Sequence, residues 1–354
     1  MTIAPTEKPA LRTPGLVDAH IHPDKTSWGD TWLSRRPAAT LADLISNDRA
    51  TQAAYVTGVE ERAYALLRNA VENGTMAMRA QVDVSSELGT RNVEGVRAAA
   101  ERLAPWLTVE IVAFPQFGLL RNPGTLEAMA ASLDAGADLV GGIDPGGIEG
   151  DLHGHLDAVF GLADRPGRDV DIHLHHGGED VLAQIREIAR RTVAGGRQGR
   201  VTIGHAFALC DASLPSLGET LDRVAEAGIW IATCALGADP VPDIDLLERH
   251  GVRLALGSDG VRDSWSPFGT GSMVDRAHLL AYRTGAITDA ELERAFRIAT
   301  QHGGEMLGVS EIADWAGPES PTRLEFAADG IPQLVTDRPA PTRVLRDGAE
   351  LALP

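Results

Sequence analysis

Apolar and β-branched residues gather along this chain in eight short runs, separated by longer stretches of helical periodicity. The runs cover residues 16–20, 75–82, 108–114, 138–143, 170–173, 201–205, 229–233 and 252–256. They are apolar nearly throughout rather than alternating, which predicts strands of a parallel sheet buried on both faces. Residues 93–103, 125–133, 181–191 and 217–227 read as helices, and Gly74, Gly136 and Gly228 stand where helices should stop. Eight strands alternating with helices close a (β/α)₈ TIM barrel. An open, doubly wound sheet is the competing architecture, and it would hold a ligand at one switch between strands. Here polar candidates follow the first, fifth, sixth and eighth runs, which suits a barrel mouth. The connection from Ser27 to about Val71 is longer than a crossover requires, so a lid segment is expected ahead of its helix.

From about Pro318 the pattern changes. Residues 323–326, 332–335 and 342–345 read as short strands, broken by prolines and by the turn signals Asp329-Gly330 and Asp347-Gly348. They predict a small β appendage that enlists the first residues too. The expected division is a barrel over 14–312 and an appendage over 1–13 and 313–354. Gly141-Gly142 and Gly146-Gly147 flank the fourth run and are expected to permit tight turning at the mouth.

Composition narrows the function classes. The chain has 354 residues, a normal length for one α/β barrel with additions. Lys plus Arg is 32 against 50 Asp plus Glu, a formal charge of −18. No basic footprint for nucleic acid or for an anionic membrane is therefore expected. The two cysteines, Cys210 and Cys234, form no CxxC, so neither a cysteine-zinc site nor a disulfide framework is predicted. Residues 1–14 lack an apolar leader core, and no run has the length of a membrane span. A cytoplasmic location is the expectation.

Candidate chemistry sits where the runs end. His20 and His22 are one residue apart on a predicted strand, so both imidazoles project to one face and can reach one point. Two such donors begin a site for zinc or iron(II). His173, His175 and His176 follow the fifth run, His205 ends the sixth, and Asp259 follows the eighth. All lie at carboxyl ends of strands, where barrel enzymes build their sites. His20, His22, His173 and Asp259 would give one divalent cation three imidazoles and a carboxylate, with a position left for water. That water would have its pKa lowered toward neutrality and become a hydroxide nucleophile. His205 could hold or polarise it, and Asp259 could take its proton. His153, His155, His250, His278 and His302 occur in helix or loop contexts and are assigned structural roles. No P-loop and no HxE/PCxxC deaminase signature occurs.

With these residues in place, the stretch from about 14 to 312 resembles the amidohydrolase superfamily, in particular its cytosine deaminase-like branch. The resemblance rests on the HxH of the first strand, the single histidines of the fifth and sixth, and the aspartate of the eighth. It extends to Val112-Ala113-Phe114-Pro115-Gln116-Phe117-Gly118 and to Asp263-Ser264-Trp265-Ser266-Pro267-Phe268-Gly269. It implies a metal-dependent hydrolase that cleaves a C–N bond of a small nitrogen heterocycle, with Gln116 and Trp265 as substrate contacts. Two positions depart from the cytosine deaminase pattern: His176 stands where a glutamate shuttles protons, and Gly260 replaces a second aspartate. Lys25 and His175 match the N-isopropylammelide isopropylaminohydrolases of the same branch, which implies that Lys25 binds substrate and that His175 or His176 moves protons. Glu179 is a further candidate for the missing carboxylate. The family's β-sandwich is cut short here, which leaves a surface that could serve a homo-oligomer. A cyclic amide ring-opener and a silent ligand-binding homologue are the alternatives.

Overall fold

The computed structural model describes residues 10–164, 167–314 and 317–352. The expectations for residues 1–9 and 353–354 lie outside the described residues.

A short strand, β1 (Leu11–Thr13), precedes the barrel. Its eight strands are β2 (Leu16–Ile21), β3 (Thr75–Asp83), β4 (Thr108–Phe114), β5 (Leu139–Ile143), β6 (Asp169–Leu174), β7 (Val201–His205), β8 (Trp230–Thr233) and β9 (Arg253–Leu256). They pair in parallel in the order of the sequence, each on one of the predicted runs. Helices cover the outside. Glu179–Ala194 shows how: it buries Val181, Leu182, Ile185, Ile188 and Ala189, a stripe at helical spacing, and leaves its charged face to solvent.

Closure joins β2 to the residues just past β9. Ile21 bridges Asp259, and the Asp259 amide donates to the His20 carbonyl at 2.7 Å. The Asp18 carboxylate accepts from the amides of Ser258 and His20 at 2.9 and 3.2 Å, clipping the seam from inside. The lumen below is polar as well as packed. Arg79 on β3 reaches Asp171 on β6 (3.3 Å) and Thr202 on β7 (2.8 Å), strands across the barrel from its own.

The long first connection carries two helices, Leu41–Gln52 and Val59–Glu72. The first begins at a capping box between Thr40 and Asp43 and overhangs the carboxyl ends of the strands. Among the described residues no helix is long and apolar enough to cross a membrane.

The appendage is an antiparallel sheet in the order β1, β10 (Arg323–Phe326), β11 (Arg343–Arg346), β12 (Ala349–Glu350). Leu11 stands opposite Phe326, so the amino-terminal segment does join it. Residues 332–335, expected as a strand, belong instead to the helix Ile331–Asp337. Pro332 sits in its first turn, where a missing N–H is harmless, and the Gln333 side chain accepts from the Asp329 amide. Four residues are too few for the apolar pair Leu334-Val335 to distinguish the two periods. Of the expected turn glycines, Gly146 and Gly147 do lie in a turn past β5, but the first pair does not. Gly141 and Gly142 lie inside β5; a Cβ on Gly141 would meet the Ala113 carbonyl at 2.5 Å and one on Gly142 the His155 ring at 2.9 Å, so close packing rather than turning requires them.

Candidate active site

A cavity of about 1120 Å³ opens at the carboxyl ends of the strands. Every barrel strand ends in a polar group in or behind the cavity lining: His20 on β2 and His22 just past it, Asp83 on β3, Gln116 past β4, Asp144 past β5, His173 on β6, His205 on β7, Cys234 past β8 and Asp259 past β9. Asp144, His205, Ala235 and Asp259 hold positive φ values of 30°, 64°, 49° and 56°. Non-glycine residues adopt that region only when the surroundings enforce it, at about 1–3 kcal/mol each. The strain is concentrated at strand ends around this cavity.

Four expected ligand residues meet at its floor. The Asp259 Oδ1 lies 3.2 Å from His22 Nε2 and 3.7 Å from His20 Nε2. His22 Nε2 lies 3.5 Å from His173 Nε2. The donor atoms of His20, His173 and His205 also fall within 4.8 Å of one another, so His205 borders the same point. Both ring nitrogens of His20, Nδ1 of His22 and of His173, and Nε2 of His205 are buried without a hydrogen-bond partner among the described residues. Burial pulls the pKa of His20 and His173 well below the usual histidine range and lowers that of His22. His205 is brought down to about 3, by burial and then by His175. Burial alone would raise the Asp259 carboxyl, but its hydrogen bond to His22 and the surrounding histidines hold it well below the carboxylate range. Neutral imidazoles beside an ionised carboxylate, with lone pairs unmet, are the donor set and protonation state that a divalent cation needs. These residues fit such an ion.

Around this floor lie groups suited to a planar ligand. Gln116 accepts from the Lys25 ammonium through Oε1, while its Nε2 is buried without a partner among the described residues. Lys25 is 2% exposed, 3.1 Å from Asp83 and 3.8 Å from Asp48. Burial opposes its charge, yet Asp83, Asp48, Asp24 and Asp263 outweigh that and raise its pKa. Its ammonium stands 5.7 Å from the Trp265 ring, which stacks on His175 with centroids 6.2 Å apart and planes 22° apart.

Sequence reasoning missed Asp144, which the structure sets between His175 and His176. Its Oδ2 lies 2.6 Å from His175 Nδ1, and its Oδ1 lies 3.0 Å from His176 Nδ1 and accepts from the His175 amide at 2.9 Å. Burial alone would raise its pKa, but these bonds bring it down to about 2. An acid between a predicted strand end and Pro145 was the available hint. Glu179 is exposed at its helix start and does not line the cavity, so Asp144 is the carboxylate beside these histidines. Asp263 was also missed as a charge. A Cβ on Gly260 would lie 2.1 Å from Asp263 Oδ2, so the space a side chain at 260 would take is filled by that carboxylate. The remaining histidines pair with structure: His155 accepts from the Ile143 amide (3.3 Å) and His302 donates to the Leu254 carbonyl (2.8 Å).

A parallel barrel with three imidazoles and a carboxylate at its mouth defines the class as a metal-site barrel hydrolase. The family model described as the amidohydrolase family matches residues 10–312, and this chain belongs to that family. It is 36% identical over 310 residues to N-isopropylammelide isopropyl amidohydrolase of Pseudomonas sp. (strain ADP), covering 85% of this chain and 76% of that protein. The crystal structure of N-isopropylammelide isopropylaminohydrolase from Burkholderia multivorans superposes with a TM-score of 0.91 at 36% identity, over 96% of this chain and 86% of that one. The 5-methylcytosine deaminase from Klebsiella pneumoniae, with 5-fluorocytosine, shares the fold at TM-score 0.84 and 21% identity, over 97% and 86% of the two chains.

Proposed function

We propose that this chain hydrolyses a C–N bond on a ring carbon of a small nitrogen heterocycle and releases ammonia or an amine. The observation that carries the reading is the convergence of His20, His22, His173 and Asp259 beneath a cavity edged by Lys25, Gln116, His175 and Trp265. Those four would hold one divalent cation, zinc or iron(II). When bound, the ion would supply Lewis acidity and lower the pKa of a water beside it. Asp259, ionised and in contact with His22, is placed to take a proton, and His205 to orient the group that gives it.

Gln116 Nε2 offers a donor to a ring oxygen or nitrogen, and Lys25 a fixed positive charge beside it. Trp265 covers one ring face. With Nδ1 held by Asp144, His175 keeps Nε2 for proton exchange with the departing nitrogen; His176 shares that carboxylate from the solvent side. The relatives named for N-isopropylammelide support an alkylamine as one leaving group. The test is release of ammonia or amine from pyrimidine, triazine and pterin rings by zinc- or iron-loaded protein. Turnover lost in Asp259→Asn is expected. Mass spectrometry separates the outcomes: exchange of nitrogen for oxygen supports this reading, and uptake of water with nitrogen retained replaces it by ring opening. No turnover on any ring by fully loaded protein overturns it.

A further inference from the structure

Four arginines are buried among the described residues: Arg62, Arg79, Arg197 and Arg276. Three are saturated. Arg62 donates to the carbonyls of Asp24, Thr26 and Thr57. Arg79 binds Glu110, Asp171 and Thr202, and Arg197 binds Asp164 and the Arg168 carbonyl. Arg276 is 3% exposed, yet its guanidinium makes no hydrogen bond, ion pair or ring contact with any described residue. It lies on the helix Met273–Thr284, which lines the cavity with Asp275, Arg276, Leu279, Tyr282 and Arg283. Arg283 is occupied with the carbonyls of Leu236 and Asp239. Arg276 acts on Asp18 and on the Cys234 thiol only through space. Cys234 in turn borders His205 and Asp259. The guanidinium, without a partner among the described residues, therefore faces the cavity within electrostatic range of a residue that borders its floor.

The Arg276 nitrogens open into the cavity, where a ligand can meet donors that no described residue meets. Five N–H donors in a planar fork match an oxyanion, above all a carboxylate. Size agrees: ligand pockets are roughly 300–1,000 Å³, and this cavity of about 1120 Å³ has more room than a bare six-membered ring fills. We propose that Arg276 is a specificity-determining residue that receives an oxyanion on the substrate, so that the heterocycle taken is an acidic one. The anion is a carboxylate substituent or an ionised ring oxygen. This rests on the reading of the cavity as a heterocycle hydrolase site.

The test is calorimetric titration of the metal-loaded chain with three probes: uracil-6-carboxylate, its neutral 6-carboxamide, and barbiturate, whose ring oxygen is ionised at neutral pH. At least one anion should bind about 10-fold or more tightly than the carboxamide. Arg276→Gln should erase that preference, and Arg276→Lys, which keeps charge but not the fork, should reduce it at least about 3-fold. Preference for uracil-6-carboxylate places the anion on a substituent; preference for barbiturate alone places it on the ring. Equal binding, no binding of either anion, or a preference that survives Arg276→Gln overturns the inference. If Arg276→Gln does not fold, Arg276→Lys decides, and an unchanged preference there overturns it. Amine release is scored separately. Turnover blind to charge leaves the hydrolase and removes this inference, whereas Arg276-dependent anion binding without turnover of any ring does the reverse.

Discussion

Asp144 tests the proton-bearing side of the site at the scale of one residue. Asparagine in its place would keep an acceptor for the His175 amide but lose the charge that holds two imidazoles. Asp144→Asn should lower kcat by roughly 10²–10⁴-fold, the range of a general acid–base contribution, with metal content unchanged by elemental analysis. Loss of metal in that variant would move Asp144 into the ion's support instead. Lys25 makes a different kind of statement. Removing it in Lys25→Met strands the buried Asp83 and Asp48 carboxylates, and breaking such a pair costs about 3–5 kcal/mol. Urea unfolding should show that loss, larger at pH 8 than at pH 5 because burial holds the Asp83 carboxyl well above the usual range and a proton relieves it. His20 and His22 could be read from a chain alone, since their spacing fixes their common face. Asp144 could not, because the histidines it holds arrive on a different strand.

At the scale of elements, the seam between β2 and β9 governs the site. Asp259 reaches His22 only because its backbone pairs with His20 across that seam. A Cβ on Gly257 would lie 2.5 Å from the His20 carbonyl, so Gly257→Ala must spread the seam. The expected result is a loss of about 1–3 kcal/mol together with weaker zinc retention, read by equilibrium unfolding and by dialysis. Asp18, inside the same seam, predicts a pH dependence. Burial raises its pKa from 3.8 to about 6, against the hydrogen bonds from Ser258. Between those values the folded chain keeps a proton that the unfolded chain has lost, so stability falls as pH rises through the window, by about 3 kcal/mol at most. Asp18→Asn should flatten that slope in thermal midpoints taken from about pH 4 to 7. An unchanged slope would assign the effect to another group, such as Asp263, which burial raises to about 7.

For the whole molecule, one apolar cluster joins the strands to their helices without any ion, while the floor of the barrel mouth is a cluster of unmet donors. Chelation should therefore abolish turnover and lower the thermal midpoint while the far-ultraviolet spectrum persists. An ion at 100 times its Kd stabilises by about 2.7 kcal/mol. Collapse of the helical signal on chelation would instead make the ion a folding requirement. The sequence by itself determined a parallel sheet covered on both faces, because eight buried runs alternate with helices, and the polar residues after four of those runs favoured a barrel over an open sheet. It determined the imidazole pair too, and the strand ends from which the other ligands come. What joined them was decided only by tertiary structure: the seam, Asp144 between two histidines, Asp263 in the space beside Gly260, and Arg276 facing the cavity with no partner among the described residues. Periodicity records which face of its own element a residue occupies, and nothing in it records which distant element that face will meet.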